Sequence, residues 1–76
     1  MKYAVIDVGS HSVRLMLSDG RRTLYKKVNT TRLAEGMGEN KILTDIAINR
    51  TAVAVGDFFA EAKNEKVKDI FVPKIN

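Results

Sequence analysis

A carboxylate and a run of small polar residues stand together near the start of the chain, in the segment Asp7–Ser12. Asp7 can hold Mg²⁺ directly or through water, because this hard cation prefers oxygen ligands. Gly9 carries no side chain, so backbone N–H groups of the turn can approach an anion, and Ser10 and Ser12 can add hydroxyl donors. The segment therefore predicts a phosphate and metal site, although Asp-x-Gly-Ser also occurs as an ordinary turn.

Two further side chains belong to this candidate site by their position. His11 is the only histidine of a chain without cysteine, so it has no Cys/His partner and is not predicted to bind a metal. Its imidazole can become cationic beside a bound phosphate, or it can simply fill space in the turn. Arg14 alternates to the same face as Ser12, which favours either a place near the site or packing on the surface of a strand.

Three strands are predicted to position these residues. Residues 3–8 carry apolar side chains on both alternating faces, as in a central strand that is covered on both sides. Val13–Ser18 alternates as a second strand, and Asp19-Gly20 predicts a two-residue hairpin turn. The third strand is Thr23–Thr30, whose lysines suit an edge or a solvated surface. The first 30 residues therefore predict an antiparallel meander.

A loop, a helix and a short strand are predicted to follow the meander. Arg32–Leu43 has no sustained period and indicates a loop, after which Thr44 is a predicted N-cap. One amphipathic helix of about five turns is indicated by apolar positions at three- and four-residue steps. Gly56 inside it indicates a close approach of the helix to the sheet. Val67–Val72 predicts a fourth strand, which Pro73 ends or forces to an edge. The helical positions are Ile48, Thr51, Ala52, Val55, Phe58, Phe59 and Ala62.

The length and composition are those of one small unit of order β-β-β-α-β. Without cysteine there can be no disulfide framework, so stability must come from packing or from association. No stretch approaches the ~18–20 apolar residues that cross a bilayer, and the start lacks the pattern of a signal peptide. A cytoplasmic location is therefore expected, with no membrane contact. The predicted core consists of Ile6, Val8, Leu15, Leu17, Val55, Phe58 and Phe59.

The net charge of +4 would attract polyanions through long-range electrostatics. Many of the basic residues are interleaved with acidic ones, which also fits ordinary solvated faces. A nucleic-acid binder is disfavoured, because aromatic residues do not alternate with the basic ones and neither a helix-turn-helix nor a zinc-binding spacing is present.

Three motifs, in order, resemble the Ppx/GppA phosphatase family. Asp7–Ser12 with the following Val-Arg-Leu is similar to the family's first phosphate-binding motif, Asp-x-Gly-Ser-Asn-Ser-x-Arg-Leu. Thr31–Met37 is similar to its Thr-Arg-Leu-Gly-Glu-Gly-Leu loop, and Ile42–Thr51 to its Leu-Ser-x-x-Ala-Ile-x-Arg-Thr helix start. The resemblance implies an α/β fold, here a partial ribonuclease H-like (actin-like) domain over residues 1–76.

The resemblance also implies a chemistry, that of an exopolyphosphatase or guanosine pentaphosphate phosphohydrolase. In such hydrolases water attacks a terminal phosphoryl group, with Mg²⁺ and backbone amides stabilising the charge. Asp7 would then serve the metal, Gly9, Ser10, His11 and Ser12 would hold phosphate, and Arg32 would reach the substrate from its loop. Polyphosphate or a guanosine polyphosphate is the expected substrate of the full-length family.

The chain departs from the family at several positions. His11 replaces the usual Asn, Ala34 replaces a loop glycine, and Lys66 stands where the family often has a helix-ending Gly, at which a side chain would be strained. The family's general-base carboxylate and second glycine-rich loop are not found, so no catalytic residue is assigned and the chain is expected to be inactive alone. The alternative is a non-enzymatic interaction module, which forms a homodimer or domain swap, or pairs with a partner, through its open sheet.

Overall fold

A computed structural model describes residues 1–38 and 42–73, which form one sheet with one helix packed on it. The middle of the predicted loop, residues 39–41, and residues 74–76 lie outside the described residues. The predicted order β-β-β-α-β is confirmed, as is the mixed α/β class. The elements are β1 (Tyr3–Val8), β2 (Val13–Ser18), β3 (Thr23–Asn29), α1 (Asp45–Asn64) and β4 (Asp69–Phe71).

The sheet has the strand order β3-β2-β1-β4. The first three strands form the predicted antiparallel meander, and β4 joins the free edge of β1 in parallel. The predicted hairpin between β2 and β3 forms, but its loop has four residues rather than two, because the Asp19 amide donates to Arg22 O over 3.2 Å. Gly20 has a φ of +92° in this loop, and the Asp19 carboxylate accepts the amides of Arg21 and Arg22. Because β4 returns beside β1, α1 must cross over one face of the sheet.

The core lies between α1 and that face. All predicted core residues are there: Phe58 is buried, and Val55 and Phe59 are partly buried against the cluster. The predicted helix face is wrong at two positions, because Ile48 and Ala52 are exposed. Small residues allow the helix to approach the sheet closely, and its buried stripe is Ala47, Thr51, Ala54, Phe58 and Ala62. No helix of the described residues is both long and apolar enough to span a membrane.

The opposite face of the sheet is open, and we call it the open face. Val5 and Met16 on the central strands are half-buried, while Val28 is 61% and Phe71 51% exposed. Coverage of β1 on both sides, which its sequence predicts, is not observed within the described residues. The single helix α1 packs on one side of the sheet and can cover only that face.

Gly56 lies on the solvent side of α1 and not, as predicted, at a close approach to the sheet. A Cβ atom added there would have no neighbour within 4 Å. Gly56→Ala is therefore expected to raise the free energy of unfolding by about 0.5–1 kcal/mol, because alanine loses less backbone entropy in a helix. Urea unfolding of the two proteins measures this difference.

Gly36→Ala is the matched control for Gly56→Ala. Gly36 has a φ of +75°, and an added Cβ would lie 3.2 Å from Thr44 Cγ2, so the same substitution is expected to destabilise here. Equal effects of the two substitutions would contradict this account.

The end of α1 confirms the strain that the sequence predicts at Lys66. This residue has a φ of +56°, a conformation that is usually taken by glycine where it occurs at a helix end. The Val67 amide donates to Ala62 O over 3.4 Å, and this hydrogen bond closes the backbone around Lys66. The chain thereby turns from α1 towards β4.

A polar cluster joins β3 to α1 at the edge of the core. Tyr25 Oη donates to Glu61 Oε2 over 2.8 Å, and Lys27 Nζ lies 3.0 Å from the same carboxylate. The Lys27 and Tyr25 hydrogen bonds hold the pKa of Glu61 below its ordinary value. Burial, followed by the hydrogen bond to Glu61, raises the pKa of Tyr25 to about 12 from its ordinary value of 10.

The raised pKa of Tyr25 predicts a loss of stability in alkali. The folded chain favours the protonated phenol, so this contribution is complete below the unfolded pKa of 10 and disappears as the pH rises through about 12. Tyr25→Phe is expected to cost about 1 kcal/mol at neutral pH, and this cost should shrink between pH 10 and 12. Urea unfolding of both proteins across that range measures it; a cost that does not change with pH would contradict the prediction.

Candidate functional site

The predicted phosphate segment forms the tight turn between β1 and β2. The Gly9 amide closes it by donating to Ser12 O over 2.9 Å, and Asp7 at the end of β1 lies directly opposite Arg14 in the antiparallel register. The register of β1 and β2 is fixed because their alternate side chains fill the core. A depression of about 240 Å³ results, lined by Asp7, Gly9, Ser10, His11, Ser12 and Arg14.

The backbone of this turn presents hydrogen-bond donors to solvent. Since the Gly9 N–H is engaged by Ser12, Gly9 contributes space rather than a donor, and a Cβ there would lie only 3.3 Å from Ser12 O. Within residues 1–38 and 42–73, the amides of Ser10, His11 and Ser12 donate to no other group. Such neighbouring free N–H groups in a turn form a concavity that suits an anion.

The side chain of Arg32 does not line the depression. It is 60% exposed and pairs with Glu35, with 3.1 Å between Arg32 Nε and Glu35 Oε2. Its backbone does contact the turn, because the Arg32 amide donates to His11 O over 3.0 Å. The structure thus brings together every predicted site residue except the guanidinium of Arg32, and of the two positions that the sequence left open for Arg14 it shows the one at the depression.

The loop that contains Arg32 is docked against the back of the turn. Besides the Arg32 amide, the Ala34 amide donates to Ser10 O over 3.2 Å. Thr31, at the start of the loop, is completely buried. We call residues 31–35 the docking loop. Its contacts occupy two carbonyl groups of the turn and leave the amides of the turn directed elsewhere.

Arg50 of α1 is a residue of this region that sequence reasoning did not single out. Its Nε donates to Thr31 O, and its Nη2 donates to Arg32 O over 3.2 Å and lies 3.7 Å from Glu35. The only signal in the sequence was that Arg50 is part of the third motif, the Arg-Thr at the start of the helix.

The charges at the site are a single carboxylate and one neighbouring guanidinium. Asp7 takes part in none of the ion pairs of the described residues, and its side chain is therefore available to a ligand. Among these residues no group of three His, Cys, Asp or Glu side chains could hold a metal ion. One carboxylate with two hydroxyls fits Mg²⁺ that is bound mainly by phosphate and water, as is usual for this ion.

A second depression continues the first across the open face. It has a volume of about 340 Å³ and shares Asp7 and Arg14 with the turn. Its far side carries Lys26 and the apolar side chains of Met16 and Val28. Three cationic residues of the described part of the chain therefore line this second depression, Arg14, Lys26 and Lys27, and of these Lys27 pairs with Glu61.

Comparison with solved structures finds close structural relatives. The chain matches the Ppx/GppA phosphatase of Aquifex aeolicus, in its type II variant, with a TM-score of 0.84 and 26% identity, over 95% of this chain and 25% of that one. It matches an exopolyphosphatase from Cytophaga hutchinsonii with a TM-score of 0.80 and 22% identity, over 95% and 24% of the two chains. The chain thus spans about a quarter of the length of these relatives.

Sequence comparison alone does not find these relatives. No protein-family model matches the chain, and no curated protein matches it. The resemblance that three short motifs indicated is confirmed by the fold that this chain shares with the solved phosphatases.

Proposed function

The chain is a structural relative of the Ppx/GppA phosphatases, and on this premise we propose that the turn Asp7–Ser12 binds a terminal phosphoryl group of polyphosphate or of a guanosine polyphosphate. Two observations carry the proposal. The residues of this turn line a depression together with Arg14, and among the described residues the amides of Ser10, His11 and Ser12 have no hydrogen-bond partner. Backbone donors and one cation suit a phosphate, which spreads its charge over several oxygens.

Each group of the turn has a distinct part in this proposal. The three amides and the two serine hydroxyls hold phosphate oxygens, and Arg14 offsets their charge. Asp7 would hold Mg²⁺ together with the phosphate, where the ion would neutralise charge on the transferring group. A longer polyphosphate would extend into the second depression, towards Lys26.

Turnover requires more than this turn. In phosphoryl transfer the protein contributes positioning and charge stabilisation around the whole transferring group. The described residues line the depression on one side only. Among them Asp7 is the one carboxylate in the lining, and there is no second one to activate water. We therefore propose that the chain is the first part of a longer phosphohydrolase and binds phosphate without hydrolysing it.

A cytoplasmic location stays a prediction.

Titration of the ¹⁵N-labelled chain with sodium tripolyphosphate, with and without Mg²⁺, tests this function. We expect chemical shift changes at the amides of residues 9–12 and 14, with a dissociation constant on the order of 1 mM. Asp7→Asn should remove the effect of Mg²⁺ on the affinity. No orthophosphate should be released in a parallel colorimetric assay.

Sodium sulfate at equal ionic strength is the control ligand, and Ser18→Ala, at the far end of β2, is the control variant. Changes spread evenly over the basic surface, or equal changes with sulfate, would show non-specific attraction and contradict the site. Release of orthophosphate would contradict the proposed inactivity.

A second candidate function is association through the open face. It is favoured by the exposure of Val28 (61%) and Phe71 (51%) on the open face of the sheet, since monomeric proteins seldom expose large apolar patches. Light scattering over a concentration series should then show the mass of a dimer, and Val28→Lys should restore the monomer. A monomer at every concentration would exclude this candidate.

A further inference from the structure

We propose that Arg50 is a positioning residue for the phosphate-binding turn, which it reaches through the docking loop. The inference rests on the proposed function of that turn and adds to it a residue outside the depression. Its basis is a continuous set of hydrogen bonds from α1 to the carbonyl groups of the turn.

The first link joins α1 to the docking loop. Arg50 donates to two consecutive carbonyl groups, those of Thr31 and Arg32, and also approaches the Glu35 carboxylate. A guanidinium carries its donors on three nitrogens in one rigid plane, so its Nε and Nη2 can each hold one of these carbonyl groups, whereas the donors of a lysine all lie on a single nitrogen. Bonds to a charged donor are also stronger than those between neutral groups.

The second link joins the docking loop to the turn. The Arg32 and Ala34 amides donate to His11 O and Ser10 O, the carbonyl groups of two residues whose amides are proposed to bind phosphate. When the orientation of each peptide plane is fixed at its carbonyl, the orientation of the following N–H is fixed as well. Holding Ser10 O and His11 O therefore orients the amides of His11 and Ser12.

The backbone at Arg32 indicates that this arrangement needs support. Arg32 has a φ of +50°, a conformation that costs a residue with a side chain some stability and persists only when its surroundings hold it. Arg50 binds the carbonyl groups on either side of that residue's amide. It thus stabilises the bend that places the Arg32 N–H against His11 O.

Amide hydrogen exchange tests the positioning role directly. In Arg50→Met we expect the Arg32 and Ala34 amides to exchange about tenfold faster, the effect of losing a charged hydrogen-bonding group on a local opening. Strand amides of β1 and β2 should keep their rates. Arg21→Met is the matched control, because Arg21 lies exposed in the far hairpin and should change neither set.

Sodium tripolyphosphate binding supplies the second readout. Arg50→Met should weaken the affinity about three- to tenfold, and Arg50→Lys should recover only part of it, because the single nitrogen of a flexible lysine does not reproduce the rigid spacing of Nε and Nη2. The shift changes that remain should still lie at residues 9–12.

The outcomes separate this inference from the function on which it rests. Weaker tripolyphosphate binding with unchanged exchange at Arg32 and Ala34 would overturn the positioning role and make Arg50 a direct ligand. Faster exchange at all amides, strands included, would overturn it in favour of a general loss of stability. If the wild-type chain binds no tripolyphosphate, the proposed function fails, while selectively faster exchange at Arg32 and Ala34 would still support the link from Arg50 to the turn.

Discussion

Phe58→Ala is expected to leave a large fraction of the molecules unfolded at room temperature. Phe58 is 7% exposed and packs in the single core between α1 and the sheet. Truncation of such a side chain costs about 3–5 kcal/mol, whereas a domain of this size has roughly 4–11 kcal/mol of stability in total. Circular dichroism should show a loss of helix signal, and urea unfolding should show a much lower midpoint.

Phe71→Ala is the matched control, since it removes the same side chain from the open face. Phe71 is 51% exposed and has one aromatic neighbour, Tyr3, at 6.4 Å between ring centroids. A cost of about 1 kcal/mol or less is expected there. If the two substitutions destabilise equally, the open face is covered in solution, and the association of chains would explain it.

Gly9→Val is expected to lower the affinity for tripolyphosphate by more than tenfold, or at least about 1.4 kcal/mol, while most of the sheet stays folded. A Cβ at Gly9 would lie 3.3 Å from Ser12 O, and the two methyl groups of valine need further room. The Cβ alone requires Ser12 O to shift by a few tenths of an ångström. We expect the methyl groups to displace it further, which weakens the bond between Gly9 N and Ser12 O and moves the amides proposed to hold phosphate. Titration followed by NMR measures both the affinity and the integrity of the sheet.

Gly56→Val is the control for that substitution, because a side chain at Gly56 meets nothing within 4 Å. It should bind tripolyphosphate like the wild-type chain. An unchanged affinity in Gly9→Val, with the sheet intact, would mean that this turn does not bind the phosphate.

The strands and the turn of the site could be predicted because their signals are local. Alternation of side chains over β1 and β2 and the Asp19-Gly20 pair indicate a meander whatever lies around it. Small polar residues between the two strands indicate a tight turn, and a carboxylate before it suggests a metal or phosphate. The tight turn at Asp7–Ser12 is observed as predicted, whereas its binding of phosphate or metal stays a prediction.

The helix shows where local reasoning failed. Its sequence fits more than one apolar stripe, and Ile48 is larger and more hydrophobic than Ala47. The sheet nevertheless receives Ala47 and Ala54, because the distance between helix and sheet is set by packing across the whole contact. The same packing of α1 on the sheet places Gly56 on the solvent side of the helix.

The sequence by itself determined the order of elements, the meander and the location of the candidate phosphate turn, since each depends on residues within a few positions of one another. Only the tertiary structure decided which stripe of α1 is buried, that β4 closes beside β1, and that one face stays open in the described residues. It also decided that Arg32 contacts the turn through its backbone amide, and that Arg50 donates to two carbonyl groups of the docking loop. These contacts join residues far apart in the chain, and no periodicity or spacing can specify them before the core has formed.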